Sequence, residues 1–171
     1  LKRDNWAKTH KKHFEKEIIN ITKVFKALPF KGENLPSDNF FDFKNDKCHG
    51  RCKGGRKEAI KRLNYFLNNK MYSYSENISS PAKSFFSCSR LSPYITMGCI
   101  SLKEILKKTK LIKSKDSNMF TSRLFWHCHF IQKLETEPEL EFKEYHPYFK
   151  NIRVKNDYFL EAWSEGKTGY P

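Results

Sequence analysis

The sequence contains no long apolar run. No stretch approaches the roughly 20 consecutive apolar residues that a membrane-spanning helix needs, and no basic-then-apolar leader opens the chain. We therefore expect a soluble intracellular protein, cytoplasmic or, in a eukaryote, nuclear. We also expect it to be a monomer without a membrane partner.

Cysteine is sparse as well. The five cysteines are odd in number and scattered along the chain, which argues against a disulfide framework and favours a reducing compartment. Cys48-His49-x-x-Cys52, with His10-x-x-His13 upstream, invites a structural zinc site. The spacing of these cysteines is looser than in paired zinc ligands, and the histidines lie in a lysine-rich segment. We therefore predict no metal site, and zinc remains the less favoured alternative.

Acidic residues are few compared with basic ones. The chain has 33 Lys and Arg against 19 Asp and Glu, a net charge of +14. A field of this sign attracts polyanions, nucleic acid first and an anionic membrane second, and composition alone does not choose between them. Aromatic residues are abundant at 15%. They can stack on bases or on flavin rings, although we expect most of the phenylalanines to form core.

Strand-like alternation is also missing, and the apolar spacing predicts an all-α chain. Residues 1–53 are expected to form a connector helix and an irregular linker, and residues 54–171 a partial helical domain. Residues 71–88 lose the helical period, so we predict a loop there.

Start and stop signals place the helices within residues 54–171. One helix follows a glycine pair, a second opens with a capping serine and a proline and ends at a glycine, a third opens with a capping box, and a last one begins at an Asn-Asp pair. The residues that carry these signals are Gly54-Gly55, Ser92-Pro93 with Gly98, Ser101 with Glu104, and Asn156 or Asp157 with Gly166.

The helix predicted over residues 118–134 has two distinct faces. One is an apolar stripe formed by Phe120, Leu124, Cys128, Ile131 and Leu134. The other mixes charge with aromatic rings, which a pure core does not need, and carries Arg123, Trp126, His127 and Phe130. Within His127-Cys128-His129, adjacent helical residues point in different directions. This triplet therefore predicts neither a metal site nor a catalytic Cys–His pair.

The segment from Ser89 to Tyr94 is a candidate anion site. Two serine hydroxyls and the Arg90 guanidinium stand at a predicted helix start, where free backbone N–H groups attract negative charge. A diphosphate suits this arrangement. An ordinary capped helix with an exposed arginine explains the pattern equally well.

Four segments together resemble, in the same order, the FAD-binding domain of the photolyase/cryptochrome superfamily. They are Gly54-Gly55-Arg56-x-x-Ala59-x-x-Arg62-Leu63-x-x-Phe66, Ser89-Arg90-Leu91-Ser92-Pro93-Tyr94 followed by Gly98 and Ile100-Ser101, Arg123-Leu124-Phe125-Trp126-His127-Cys128-His129-Phe130, and Glu161-Ala162-Trp163-x-x-Gly166-Lys167-Thr168-Gly169-Tyr170-Pro171. The resemblance implies the N-terminal portion of an all-α domain that holds FAD, in a folded, U-shaped form, at the bottom of a DNA-facing cavity. In photolyases, reduced flavin excited by blue light gives an electron to a pyrimidine dimer, which splits and returns it.

The resemblance also implies roles for individual residues. The FAD-binding residues would be Tyr74, Cys88, Ser89, Arg90, Leu91, Ser92, Phe120, Arg123 and His127. Contacts to DNA, as a damaged duplex or a single strand, would come from Arg123, Trp126, His127 and Phe130. No catalytic residue is expected in these 171 residues. Tyr72 is an alternative to Tyr74, because the loop between the matching segments is longer than in common members.

Four positions depart from the family pattern and suggest a divergent branch. Arg123 stands where many photolyases have glutamate, His127-Cys128 replaces the usual Arg-Glu, and Arg153 stands where many members keep a surface tryptophan. The resemblance therefore implies a blue-light-driven photolyase that repairs pyrimidine photolesions, with a cryptochrome-like photoreceptor without repair activity as the alternative. A flavin-free basic nucleic-acid binder is a more remote option.

The superfamily places an α/β antenna domain before this domain and further flavin-facing residues after it. Neither matches any part of these 171 residues. We therefore expect that the chain is a fragment, and that these residues alone bind flavin poorly and repair nothing.

Overall fold

The computed structural model describes residues 3–19, 26, 29–34, 36–37, 40, 51–152 and 154–170. Within these ranges the regular structure is helical, with no strand, which confirms the all-α prediction. The helices are α1 (Arg3–Glu15), α2 (Arg56–Tyr65), α3 (Tyr74–Asn77), α4 (Pro81–Ser87), α5 (Ser92–Thr96), α6 (Leu102–Thr109), α7 (Lys115–Thr136) and α8 (Asp157–Ser164). Short 3-10 turns cover Pro138–Glu141 and Pro147–Phe149.

Helix α2 follows Gly55, as the sequence predicts, because this glycine adopts a φ of 96° that other residues avoid. Its apolar stripe is buried at Ala59 and Leu63. The helix continues as a π-helical turn, Phe66–Lys70, in which the Met71 N–H donates to the Phe66 carbonyl. A 3-10 turn then leads into α3.

The loop predicted for residues 71–88 is wrong, because this segment forms a 3-10 turn and helices α3 and α4. Both helices are too short to show a periodic stripe, at 4 and 7 residues. Burial of Tyr74 stabilises α3, and a cap stabilises α4. The Ser80 Oγ accepts the Lys83 N–H at 3.3 Å, with Pro81 at the first helical position.

Helix α5 also corrects one prediction. Ser92 is the first helical residue and Leu91 is the N-cap, so no side chain caps this helix. Gly98, with a φ of 66°, ends it as predicted. The capping box that opens α6 is confirmed: the Ser101 Oγ accepts the Glu104 N–H at 3.2 Å, and the Glu104 carboxylate accepts the Ser101 N–H.

The chain divides into two compact units, residues 1–124 and 125–171, with the division inside α7. The predicted domain boundary at residues 53 and 54 stays a prediction. All of the buried apolar residues that the structure describes belong to the first unit. They are Ala59, Leu63, Phe66, Leu67, Met71, Tyr74, Leu91, Tyr94, Ile100, Ile105, Leu106, Phe120 and Leu124.

In the second unit, no described residue is buried. The predicted apolar stripe of α7 is therefore buried only at Phe120 and Leu124, whereas Ile131 and Leu134 are exposed. Helix α8 begins as predicted, because the Asn156 Oδ1 accepts the Phe159 N–H at 3.1 Å. Gly166, with a φ of 70°, follows its end.

Replacing Leu63 by alanine should lower the free energy of unfolding by about 2–5 kcal/mol, because this fully buried side chain leaves a cavity. Leu111→Ala is the matched control, since Leu111 is 83% exposed, and it should change stability by less than about 0.5 kcal/mol. Urea unfolding followed by circular dichroism measures both. Equal effects of the two substitutions would contradict the described core.

Glu104 on α6 forms an ion pair with Arg56 on α2, with 3.1 Å between the Arg56 Nη1 and the Glu104 Oε2. The hydrogen bonds from Arg56 and Ser101 lower the pKa of the Glu104 carboxyl from 4.5 to about 2. A depressed carboxyl pKa stabilises the fold above the unfolded-state pKa, and the effect is lost as the pH falls towards about 2. Glu104→Gln should therefore cost about 0.5–1 kcal/mol at pH 7 and progressively less below about pH 4.5.

Denaturant unfolding between pH 7 and pH 3 tests this dependence. Glu161→Gln on α8 is the control, because Glu161 is exposed and no ion pair of its side chain is described. A cost of Glu104→Gln that stays constant with pH would show that charge is not the cause.

Candidate functional site

Tyr74 and Phe120 lie in an aromatic cluster of the first unit. The Tyr74 ring is 5% exposed and packs edge-on against Phe66 and Phe120, with centroid distances of 5.7 and 5.4 Å. Burial is the main cause that raises the pKa of Tyr74 to about 12, so its hydroxyl stays neutral and can donate a hydrogen bond. Tyr72, the alternative, is 69% exposed.

Three cations lie around this cluster. Arg123 opposes the rise of the Tyr74 pKa, and Cys88 contributes to that rise, so both lie near the phenol. Burial raises the pKa of Cys88, while Arg90 and Lys70 oppose this rise. Five of the predicted cofactor-binding residues of this unit therefore lie near one another: Tyr74, Cys88, Arg90, Phe120 and Arg123. Cys88 is a neutral thiol there.

The Ser89–Ser92 segment connects α4 to α5. Leu91 is buried and anchors the segment, and the Ser89 Oγ accepts the Leu91 N–H at 3.4 Å. Arg90 has a φ of 52°, in the left-handed region that a residue with a Cβ rarely adopts. This conformation costs roughly 1–2 kcal/mol, and such strain concentrates at functional sites.

The hydrogen-bond donors of this segment and of the nearby cations fit a diphosphate. Among the residues that the structure describes, no carboxylate forms an ion pair with Lys70, Arg90 or Arg123. Their positive charges are therefore available to an anion, together with the hydroxyls of Ser89 and Ser92.

Trp126, His127 and Phe130 belong to the second unit, on the part of α7 that follows residue 124. Trp126 is 49% exposed, and its ring lies 5.7 Å from that of Phe130. The Nδ1 of His127 is buried and has no hydrogen-bond partner among the described residues. Such a nitrogen costs about 1–3 kcal/mol unless a polar group pairs with it.

No group of His, Cys, Asp and Glu within the described ranges could hold a metal ion. Cys48 and His49, which carried the zinc alternative, lie outside the described residues, as does Arg153. His129 contacts Trp126 edge-on, with centroids 5.7 Å apart. Where described, no helix combines the length and apolar character that crossing a bilayer requires.

Two residues near the cluster did not emerge from the sequence. Lys70 is the last residue of the π-helical turn, which no local sequence pattern predicted. Phe85 lies on α4, in the segment predicted to be a loop, and its ring lies 4.3 Å from the Arg90 guanidinium carbon. The Ser80-Pro81 pair was the signal that could have revealed α4.

Comparisons with known proteins give a consistent result. The family model described as the FAD binding domain of DNA photolyase matches residues 120–171. A deoxyribodipyrimidine photo-lyase of Streptomyces griseus is 28% identical over 71% of this chain and 26% of its own length. Cryptochrome-1 of Mus musculus is 32% identical over 69% of this chain and 21% of its own length.

A solved structure agrees with these relatives. A bacterial class III photolyase from Agrobacterium tumefaciens matches with a TM-score of 0.62 and 30% identity, over 68% of this chain and 25% of the photolyase. The chain thus spans about a quarter of the length of the proteins that it matches. With its helical fold, its match to the family model over residues 120–171 and these relatives, the chain is similar to part of the FAD-binding domain of photolyases and cryptochromes.

Proposed function

We propose that these residues belong to a blue-light-driven, FAD-dependent photolyase that repairs pyrimidine photolesions in DNA. The observation that carries the proposal is the cationic cluster of Lys70, Arg90 and Arg123 around Tyr74 and Cys88, without a paired carboxylate among the described residues. Such a cluster suits a dinucleotide with a diphosphate. The net charge of +14 suits DNA as the second partner.

Residues of the first unit would bind FAD. Arg90, Ser89 and Ser92 would donate hydrogen bonds to the phosphates of FAD. The buried side chain of Leu91 would hold this segment against the core. Tyr74 and Phe120 would form the wall behind the cofactor and exclude water from it. Bound FAD would supply the electron that splits the lesion.

Lesion contacts would come from α7. Trp126 and Phe130 present two partly exposed rings on which an unpaired base can stack. The unpaired Nδ1 of His127 would pair with a polar edge of the flipped base. Arg123, which is exposed, would contact phosphate or base oxygens on the same helix.

A cryptochrome-like photoreceptor without repair is the second candidate. The observation that favours it is the pair Arg123 and His127. A guanidinium donates hydrogen bonds but accepts none, so Arg123 offers a lesion base a different set of contacts from a carboxylate. The relatives include both photolyases and cryptochromes.

Repair by the full-length protein is the direct test. With reduced FAD and blue light, it should remove pyrimidine dimers from an oligonucleotide, and it should remove none in the dark. Trp126→Ala should weaken binding of dimer-containing DNA about 5- to 100-fold through lost stacking, whereas Trp126→Phe should retain most of the affinity. Flavin photochemistry without any loss of dimers would favour the photoreceptor.

Arg90 offers a test that separates charge from backbone strain. Arg90→Ala and Arg90→Gly should both weaken FAD binding about 10- to 100-fold, because each removes a charged donor to phosphate. Glycine tolerates the φ of 52°, so Arg90→Gly should unfold with a free energy about 1 kcal/mol higher than Arg90→Ala. Titration of FAD into full-length protein, with parallel urea unfolding, measures both effects. Unchanged FAD affinity in both variants would remove Arg90 from the site.

A further inference from the structure

Arg90 faces an aromatic ring on the preceding helix. Its guanidinium carbon lies 4.3 Å from the centroid of Phe85, well inside the distance of about 6 Å at which a cation is attracted to a ring face. Phe85 belongs to α4, five residues before Arg90 in the sequence. The contact therefore bridges the end of a helix and the segment that follows it.

Two features make this contact the main restraint on the Arg90 head group. The φ of 52° sets the direction in which the side chain leaves the backbone. No carboxylate forms an ion pair with the guanidinium within the part of the chain that the structure describes. Without a ring, this long side chain would keep its rotamer freedom and lose it only when an anion binds.

We propose that Phe85 is a positioning residue for Arg90, and that its ring orders the guanidinium for a phosphate group of the bound dinucleotide. Stacking engages the flat face of the guanidinium and leaves the N–H groups at its edge free. Those N–H groups form the planar fork that meets two phosphate oxygens at once. The proposal rests on the FAD-binding function proposed above.

The neighbouring Phe86 supplies a matched control. It is also on α4 and is 68% exposed, against 54% for Phe85. The Phe86 ring contacts the Phe85 ring edge-on, at 5.2 Å between centroids, and no contact of Phe86 with Arg90 is described. Substituting Phe86 thus removes a similar exposed aromatic surface without removing the face that Arg90 uses.

The experiment measures flavin binding by the full-length protein with two probes, FAD and riboflavin, which lacks phosphate. Phe85→Leu keeps an apolar side chain but loses the ring face, so FAD should bind about 3- to 10-fold more weakly while riboflavin binding stays unchanged. Phe85→Tyr and Phe85→Trp should restore FAD affinity to within about twofold of wild type, because both keep a π face. Phe86→Leu should leave both affinities unchanged.

Other outcomes would overturn the inference. Equal FAD affinity of wild type and Phe85→Leu would show that the ring does not order Arg90. A parallel loss of FAD and riboflavin binding, not restored by tyrosine or tryptophan, would assign Phe85 a purely structural role, and melting temperatures would register it. If the wild-type protein binds neither flavin, both the proposed function and this inference are wrong. If the wild-type protein binds FAD tightly and Phe85→Leu binds it equally tightly, only this inference is wrong.

Discussion

The packing of Phe66, Tyr74 and Phe120 is the contact on which the first unit depends. These three rings lie 4.8 to 5.7 Å apart and join the end of α2, the start of α3 and the first half of α7. Aromatic pairs in such tilted and edge-on arrangements contribute about 0.5–1.5 kcal/mol each beyond their burial. Because Tyr74 and Phe120 are also proposed cofactor neighbours, the same contact that stabilises the fold determines where the candidate site lies.

The candidate site also has an excess of positive charge. Around a phenol and a thiol that are both neutral, the chain places cations without compensating carboxylates in the described residues. Such an arrangement is unfavourable in an empty protein because like charges repel. Arg90 adds backbone strain to that cost. Binding of an anion at the proposed site would offset both costs, as in a preorganised binding site.

The sequence predicted the features that depend on local chemistry. The helix after Gly55, the capping box of α6, the Asn156 cap and the long α7 all follow from residue types within one or two turns. Helix α4 was missed because its seven residues are too few to show an apolar period, although the Ser80-Pro81 pair is a local start signal. The left-handed φ of Arg90 and its contact with Phe85 depend on how α4 ends, which no local pattern predicts. The resemblance supplied the family, while the roles of individual site residues remain proposals.

The π-helical turn after α2 bears on how related chains align. Its hydrogen bond spans five residues, from Phe66 to Met71, and so accommodates one residue more than an α-helical turn. An insertion of one residue can be absorbed in this way without breaking the helix. Because the wider turn takes up the extra residue, the segment after it keeps the orientation that it would have after a regular α-helix. Alignment with a relative lacking that residue then needs a one-residue gap before Tyr72 and Tyr74 to pair side chains that point in the same direction.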